Sequence, residues 1–342
     1  MTLTKLAQLA NVSVSVVSKA FSGREDVSDA MREHVFAVAR AHGCFNQFYH
    51  VPYDRPVVAV IIPEVISQFY IHYMEALKAG LEAAGCTMLL SISNFAPQMR
   101  DELVRYYTAH GKVDALILLG SFGAMPPCPG DRPPVLIEIG GGVAPVIGCR
   151  ISHAMPDGLR EALRCLRDAG HRRIAYVGEA FIESKAARMA AIMHELGLEP
   201  DPALMICSRY RFAEAGADGV ERLWQLPEAA RPTAIVGGYG YITQGILAAL
   251  GGRGIDVPGE VSVVSMDSDP DPLDGARQVS CIPSGIDAIC AAAMAALRAR
   301  LPLAGEARNA AEHVVIPGAF CRGETVGIRC ARGVMCAKLP AK

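Results

Sequence analysis

Thr4-Lys-Leu-Ala-Gln-Leu-Ala-Asn-Val-Ser-Val-Ser-Val-Val-Ser-Lys-Ala-Phe21 decides how the N-terminal end of the chain reads. Leu6, Ala7 and Ala10 recur at helical spacing, and Thr4 can cap the short helix that carries them. Asn11 falls where the chain must turn, and Asn tolerates left-handed backbone. Val12 plugs that turn. Ser13 caps a second helix, Val14 to Phe21, with Val17 and Ala20 turned inward. Ser28 caps a third, Asp29 to His42, with Met31, Val35 and Val38 on one stripe. Helix, tight turn, helix and support helix is the arrangement that reads DNA. A small helical bundle with ordinary caps has the same pattern.

In the first reading the second helix lies in the major groove. Its first turn offers Val14 to a thymine methyl and Ser15 to most base edges, and Lys19 reaches guanine acceptors one turn on. Thr4, Ser13, Ser18 and Ser22 can donate to phosphates, helped by the helix N-terminus. Residues 1 to 24 carry Lys5, Lys19 and Arg24 and no acid. That charge is modest for DNA binding, and two copies in a dimer double it.

Beyond residue 45 the pattern changes. Val57 to Ile62 is a continuous apolar run, as in a buried parallel strand. Further strands read at Thr87 to Ile92, Ala115 to Leu119 and Val135 to Ile139, with helices at Phe69 to Gly85 and Met99 to His110 between them. The alternation repeats: helices at Gly158 to Ala169, Lys185 to Leu196 and Thr243 to Leu250, and strands at Ile174 to Val177, Met205 to Cys207, Ala234 to Val236 and Val261 to Ser265. A further helix includes Gly219 to Trp224. Strands alternating with helices form a parallel sheet covered on both faces, and two such runs make two doubly wound lobes. Ligands bind beyond the carboxyl ends of such strands, here facing an interlobe cleft.

At 342 residues the chain has room for two or three domains, at roughly 150 residues each. Its formal net charge of -2 excludes a wholly basic, histone-like binder, and 51% hydrophobic with 20% charged residues argues against disorder. The first twenty residues lack the apolar run of a secretory signal, so the expected location is the cytoplasm. Pro232 to Gly252 is uncharged and long enough for a membrane span. Its six glycines make it a strand, a turn and a helix instead, and no membrane partner is expected. The eleven cysteines are scattered without C-x-x-C spacing. They read as buried apolar filler; the alternative is a redox or metal role for the last three, Cys321, Cys330 and Cys336.

Residues 4 to 21 followed by Val27-Ser28 resemble the DNA-binding headpiece of the LacI/GalR family of bacterial transcription regulators. The resemblance runs to about Gly327. It is carried by Tyr73-Met-Glu-Ala-Leu-Lys-Ala-Gly-Leu-Glu-Ala-Ala-Gly85, Val113-Asp-Ala-Leu-Ile-Leu118, Ala169-Gly-His-Arg-Arg-Ile-Ala-Tyr-Val-Gly178, Val257-Pro-Gly-Glu-Val-Ser-Val-Val-Ser-Met-Asp267 and Val314-Val-Ile-Pro-Gly-Ala-Phe-Cys-Arg-Gly-Glu-Thr325. It implies a helix-turn-helix headpiece at 1–45, a linker at 46–56, and a periplasmic-binding-protein-like α/β core at 57–329. Lobe 1 is expected at about 57–150 and 282–308, lobe 2 at about 151–281 and 309–329, and a tail at 330–342. It also implies a homodimer on double-stranded operator DNA, with a small effector between the lobes and no cofactor.

Two departures shape the expectations. The linker Asn46-Gln-Phe-Tyr-His-Val-Pro-Tyr-Asp-Arg-Pro56 is about three residues shorter than usual and lacks the family's Ala-x-x-Leu pattern. Pro52 and Pro56 disfavour a helix through it, and Phe48 or Tyr49 are substitute wedges for the minor groove. In the cleft, two frequent hydroxyl-binding carboxylates are replaced at Tyr239-Gly240 and Ala154-Met155. Arg188 matches the family's effector-contacting arginine and Asp267 the aspartate after the last cleft strand. Ser67, Phe69 and Tyr70, beyond the first strand, can also meet a ligand, as can Tyr239; a loop packed on its own lobe is the alternative for 67–70. Arg188 with fewer carboxylates points to a sugar derivative or a small anion.

Asp267 to Asp274 has the look of a calcium loop, but Pro272 and Gln278 stand where glycine and glutamate are needed. Gly140 to Gly142 and Gly237 to Gly240 lack the P-loop lysine. No zinc-protease helix or serine elbow is visible, and an enzyme is not expected. The competing readings are a ligand-binding module of the same fold that has lost operator binding, and a periplasmic solute receptor, against which the intact headpiece argues.

Overall fold

Caps set the first helices. The Thr2 hydroxyl oxygen accepts from Lys5 N at 3.2 Å and opens α1 (Leu3–Ala10). The cap is therefore Thr2, and Thr4 lies exposed in the first turn, because the two residues offer the same hydroxyl and the chain enters the helix extended at Thr2. Asn11 closes α1 in the left-handed region at φ 53°. Ser13 caps α2 (Val14–Phe21) and Ser28 caps α3 (Asp29–Ala41), each accepting from the amide three residues on. Leu6, Val17, Ala20, Val35 and Ala39 form the centre of the core. Met31 is exposed, contrary to its place on the expected stripe; Phe36 takes the inward position instead.

The computed structural model describes residues 1–24, 26–48, 55–109, 113–120, 133–140, 146–180, 183–268, 278–303, 305–329 and 335–338. Its contacts divide the chain into Met1–Pro56 and Val57–Lys342. In the first unit a short α4 (Phe45–Phe48) follows α3. The rings of Phe21, Phe36, Phe45 and Phe48 cluster at 5.1–6.0 Å. Phe48 is thus packed against the headpiece core, not held out as a wedge, because the chain stays helical up to it. Tyr49 and Pro52 lie outside the described residues.

The second unit holds two parallel sheets. The first contains β1 (Val57–Ile62), β2 (Thr87–Ile92), β3 (Ala115–Leu119), β4 (Val135–Ile139) and β5 (Cys149–His153), with α5 (Gln68–Ala83) and α6 (Pro97–Ala109) on its faces. The second contains β6 (Ile174–Glu179), β7 (Met205–Ser208), β8 (Ala234–Gly237), β9 (Ser262–Ser265) and β10 (Ser280–Cys281). It is covered by α7 (Met155–Asp168) and α8 (Glu183–Glu195) on one face, and by α9 (Phe212–Trp224) and α10 (Gly240–Gly251) on the other. α11 (Ile286–Arg300) then packs back on the first sheet, and β11 (Glu312–Ile316) pairs with β5 at its edge. Strand orders are β11-β5-β4-β3-β1-β2 and β10-β9-β8-β6-β7. Two short strands, β12 (Gly327–Arg329) and β13 (Met335–Lys338), pair antiparallel at the end.

The central strands are wholly buried. The five residues of β3 read Ala-Leu-Ile-Leu-Leu, and each such Leu or Ile contributes about 1.5–3 kcal/mol on leaving water. Two expectations need correction. β5 is a strand that no apolar run announces, because Arg150 and Ser152 interrupt it; Arg150 is buried by pairing with Glu138 at 2.8 Å. Residues 309–316, expected in lobe 2, belong to the first sheet through β11, so the chain returns to the second sheet only after Ile316. Among the described residues the chain crosses between the sheets three times, at 153–155, 281–286 and 316–321.

Candidate DNA interface and ligand cleft

On the headpiece, α2 presents Val14, Ser15 and Ser18 to solvent, while Val17, Ala20 and Phe21 bury its other face. Val14 keeps 41% of its surface exposed. The Ser13 oxygen is used as the cap, leaving its O–H to donate, and the Ser22 hydroxyl donates to Lys19 O at 3.3 Å. The Lys19 ammonium donates to the Asp26 carboxylate. That bond is the main reason the Asp26 carboxyl titrates below its usual range. Asp26 lies just beyond the acid-free residues 1–24, so the local positive charge is partly offset within the headpiece.

In the core, a cavity of about 240 Å³ opens between the carboxyl ends of the two sheets. From the first lobe it is lined by Glu64, just after β1; by Ser67, Phe69 and Tyr70 at the start of α5; and by Phe95, after β2. Their rings make an edge-to-face wall, Phe69 to Tyr70 at 5.1 Å and Tyr70 to Phe95 at 5.8 Å. Ser67 opens α5 without a side-chain cap bond.

The second lobe supplies charge. Glu179 ends β6, Lys185 stands on α8, Arg211 precedes α9, Tyr239 follows β8, and Asp267 follows β9. Arg211 donates to both oxygens of Glu64 at 3.0 Å, so one ion pair crosses from lobe to lobe. Tyr239 Oη and Phe212 N both donate to Glu179 Oε1, the latter at 2.8 Å. Burial, then the hydrogen bond to Glu179 and that carboxylate's charge, raise the Tyr239 phenol, which keeps it a neutral donor. Lys185 Nζ donates to Asp267 Oδ2 at 2.5 Å and to Gly238 O at 2.9 Å. Phe212 and Asp267 both hold left-handed backbone, φ 55° and 40°, at a cost that clusters at functional sites.

Ser67, Phe69, Tyr70, Tyr239 and Asp267 all line the cavity, and Arg188 does not. Arg188 is exposed on α8, and Lys185, one turn earlier, faces inward in its stead. Residues three apart stand on neighbouring parts of one helix face, so the sequence spacing does not tell which of the two basic residues reaches the cleft. The expectation of few carboxylates also fails. Glu64, Glu179 and Asp267 line the cavity beside Lys185 and Arg211, with Glu64 paired to Arg211 and Asp267 to Lys185. Glu64, just beyond the apolar β1, and Glu179, at the end of β6, each read from the sequence as an ordinary polar stop. Asp267 is committed to Lys185; residues 269–277 of the supposed calcium loop lie outside the described residues, and among the described residues no group of three or more His, Cys, Asp or Glu could hold a metal.

Residues 2–44 match the model described as bacterial regulatory proteins, lacI family, and residues 163–326 match the periplasmic binding protein-like domain. These two modules in this order define a DNA-binding regulator with a ligand-cleft type of core. The chain belongs to the LacI/GalR family of bacterial transcription regulators. It is 26% identical over 285 residues to the HTH-type transcriptional repressor CytR of Escherichia coli K12, covering 78% of this chain and 80% of that one. Among solved structures it resembles the lac repressor dimer bound to operator and the anti-inducer ONPF, with a TM-score of 0.65, 18% identity, and 95% and 98% of the two chains covered. It also resembles a transcriptional regulator CelR–cellobiose complex, with a TM-score of 0.61, 20% identity, and 95% and 99% covered. The curated relative is a regulator and not an enzyme, and no described helix is long and apolar enough to cross a membrane.

Proposed function

We propose that this chain is a cytoplasmic, homodimeric repressor that reads operator DNA and answers to a small ligand held between its lobes. Residues 1–45 form the headpiece in this reading, and 57–329 the effector core. Val14, Ser15 and Lys19 read bases, and Thr4, Ser13, Ser18 and Ser22 hold phosphates. The observation that carries the proposal is the cavity at the strand ends, spanned by the Arg211–Glu64 pair. A ligand there touches both lobes, so its binding energy can bias their relative arrangement and couple to operator affinity.

The ligand is a small hydroxylated ring, a sugar derivative. Aromatic faces on the first lobe take its apolar side, and carboxylates on the second accept from its hydroxyls. The cavity sits below the usual range for ligand pockets, which suits one ring. The related solved structures hold cellobiose and ONPF, in keeping with this class.

A second reading, a ligand-binding module with weakened operator binding, is favoured by the engagement of Lys19 with Asp26. Selection of bound duplexes from a random library by the purified full-length protein separates the two. A pseudo-palindrome recovered at physiological salt supports the operator reader. Binding without sequence preference and with a steep salt slope supports the module.

A further inference from the structure

Cys281 and Cys321 face each other across a small antiparallel bridge. Each amide donates to the other's carbonyl at 2.8 Å. Both residues are thiols, Cys281 buried and Cys321 partly exposed. Directly opposed residues in such a pair project their side chains to the same face, with Cα atoms about 5.5 Å apart. Disulfides span Cα separations of roughly 4.4–6.8 Å.

The location gives the pair meaning. Cys281 ends β10 on the second sheet, and the chain then crosses to α11 on the first. Cys321 lies where the chain has just returned from β11 to the second sheet. The crossings are tied to one another: Ala154 N donates to Ile316 O at 2.8 Å, and a Cβ on Gly285 would lie 3.3 Å from His153 Cδ2. Any change in lobe arrangement must pass through these segments.

We propose that Cys281 and Cys321 are a peroxide-responsive thiol pair whose disulfide staples two of the three crossings and restrains the lobes. The Cys321 thiolate, the accessible one, attacks one oxygen of hydrogen peroxide; the O–O bond breaks, a sulfenic acid forms and hydroxide leaves. The Cys281 sulfur then attacks the sulfenic sulfur, the S–S bond forms, and water departs with the thiol proton. Two thiols lose two electrons, and one peroxide is reduced to two waters. Opposed Cβ atoms in hydrogen-bonded pairs stand at the wide end of about 4.5–5.5 Å, against a mean of about 3.8 Å in disulfides. The bond therefore forms under strain and is readily reduced again by thiols, as a reversible switch requires.

The test treats the full-length protein with stoichiometric hydrogen peroxide and maps peptides without reduction. A Cys281–Cys321 linked peptide, reversed by dithiothreitol and lost in both Cys281→Ala and Cys321→Ser, is expected. Hydrogen exchange at the amides of Ile282, Ser284, Gly318 and Ala319 should slow severalfold in the oxidised wild type and not in the variants. Cys321 recovered as sulfinic acid with Cys281 still alkylatable after unfolding, or Cys321 joined to Cys165, overturns the pairing. A linked peptide with unchanged exchange overturns the staple. The wild-type map stands even where a variant fails to fold.

Discussion

Arg211 grips Glu64 through both terminal nitrogens at 3.0 Å, and the two residues belong to different lobes. Arg211 also lies 3.7 Å from Glu179, so one guanidinium serves a carboxylate on each side of the cleft. Glu64 is 7% exposed and Arg211 35% exposed. Solvent screens the outer edge of the pair but little of the buried carboxylate.

Arg211→Ala leaves two buried carboxylates without their cation, and we expect it to lower the stability of the core by about 1–3 kcal/mol. Glu64→Gln keeps Arg211 opposite Glu179 and should lose less. Urea unfolding followed by far-ultraviolet circular dichroism measures both. A wild-type midpoint in Arg211→Ala means that the interlobe pair contributes nothing net.

Lys185 and Arg188 sit one turn apart on α8, but only Lys185 reaches the cavity. Lys185→Met should abolish ligand-induced thermal stabilisation in a panel of monosaccharides and nucleosides, because Asp267 is then left half-buried without its cation. Arg188→Ala should leave the stabilisation within twofold in apparent affinity. The opposite pattern would return the effector contact to Arg188.

The contrast shows what the sequence carries. Val57–Ile62 and Ala115–Leu119 are legible to the residue, because an apolar run in mid-sheet has no polar member to blur its ends, and Thr87–Ile92 and Val135–Ile139 remain legible although Ser91 and Glu138 interrupt them and β2 is a half-exposed edge strand. β5 is not, since Arg150 is buried by a partner from the neighbouring strand. Ser67, Phe69 and Tyr70 are legible from topology, because they follow the end of the first strand, whereas Tyr239 and Asp267 are legible through the family resemblance. Glu64, Glu179 and Arg211 are not. Their role comes from meeting across 32 to 147 residues of chain, and no local pattern encodes that meeting.

The Lys19–Asp26 pair makes a prediction about DNA. Lys19 must leave Asp26 to reach a base, so part of any base contact is offset by the bond it loses. Lys19→Ala should weaken binding to the selected operator by about 1–3 kcal/mol and relax preference at one position. Asp26→Asn should strengthen binding to arbitrary duplexes and steepen the slope of log affinity on log salt by about one ion. Fluorescence anisotropy across a salt series reads both. An unchanged slope in Asp26→Asn assigns the pair to headpiece structure alone.

His153 ends β5 at the first crossing and makes stability depend on pH there. Burial lowers its imidazole below the ordinary 6.5, although the Asp267 charge and a bond to Pro317 pull the other way. Well above pH 6.5 the imidazole is neutral in both folded and unfolded chains and contributes nothing. As pH falls below 6.5 the unfolded chain binds a proton that the folded chain refuses, so stability drops until the depressed folded value is reached. His153→Gln removes that proton uptake and keeps a polar side chain of similar reach. The difference in melting temperature between wild type and variant should therefore shift in favour of the variant between pH 7.5 and pH 5. Other titrating groups, common to both proteins, cancel in the difference. Parallel melting curves across that range would show that the crossing hydrates freely and that His153 is not held in its neutral form by burial.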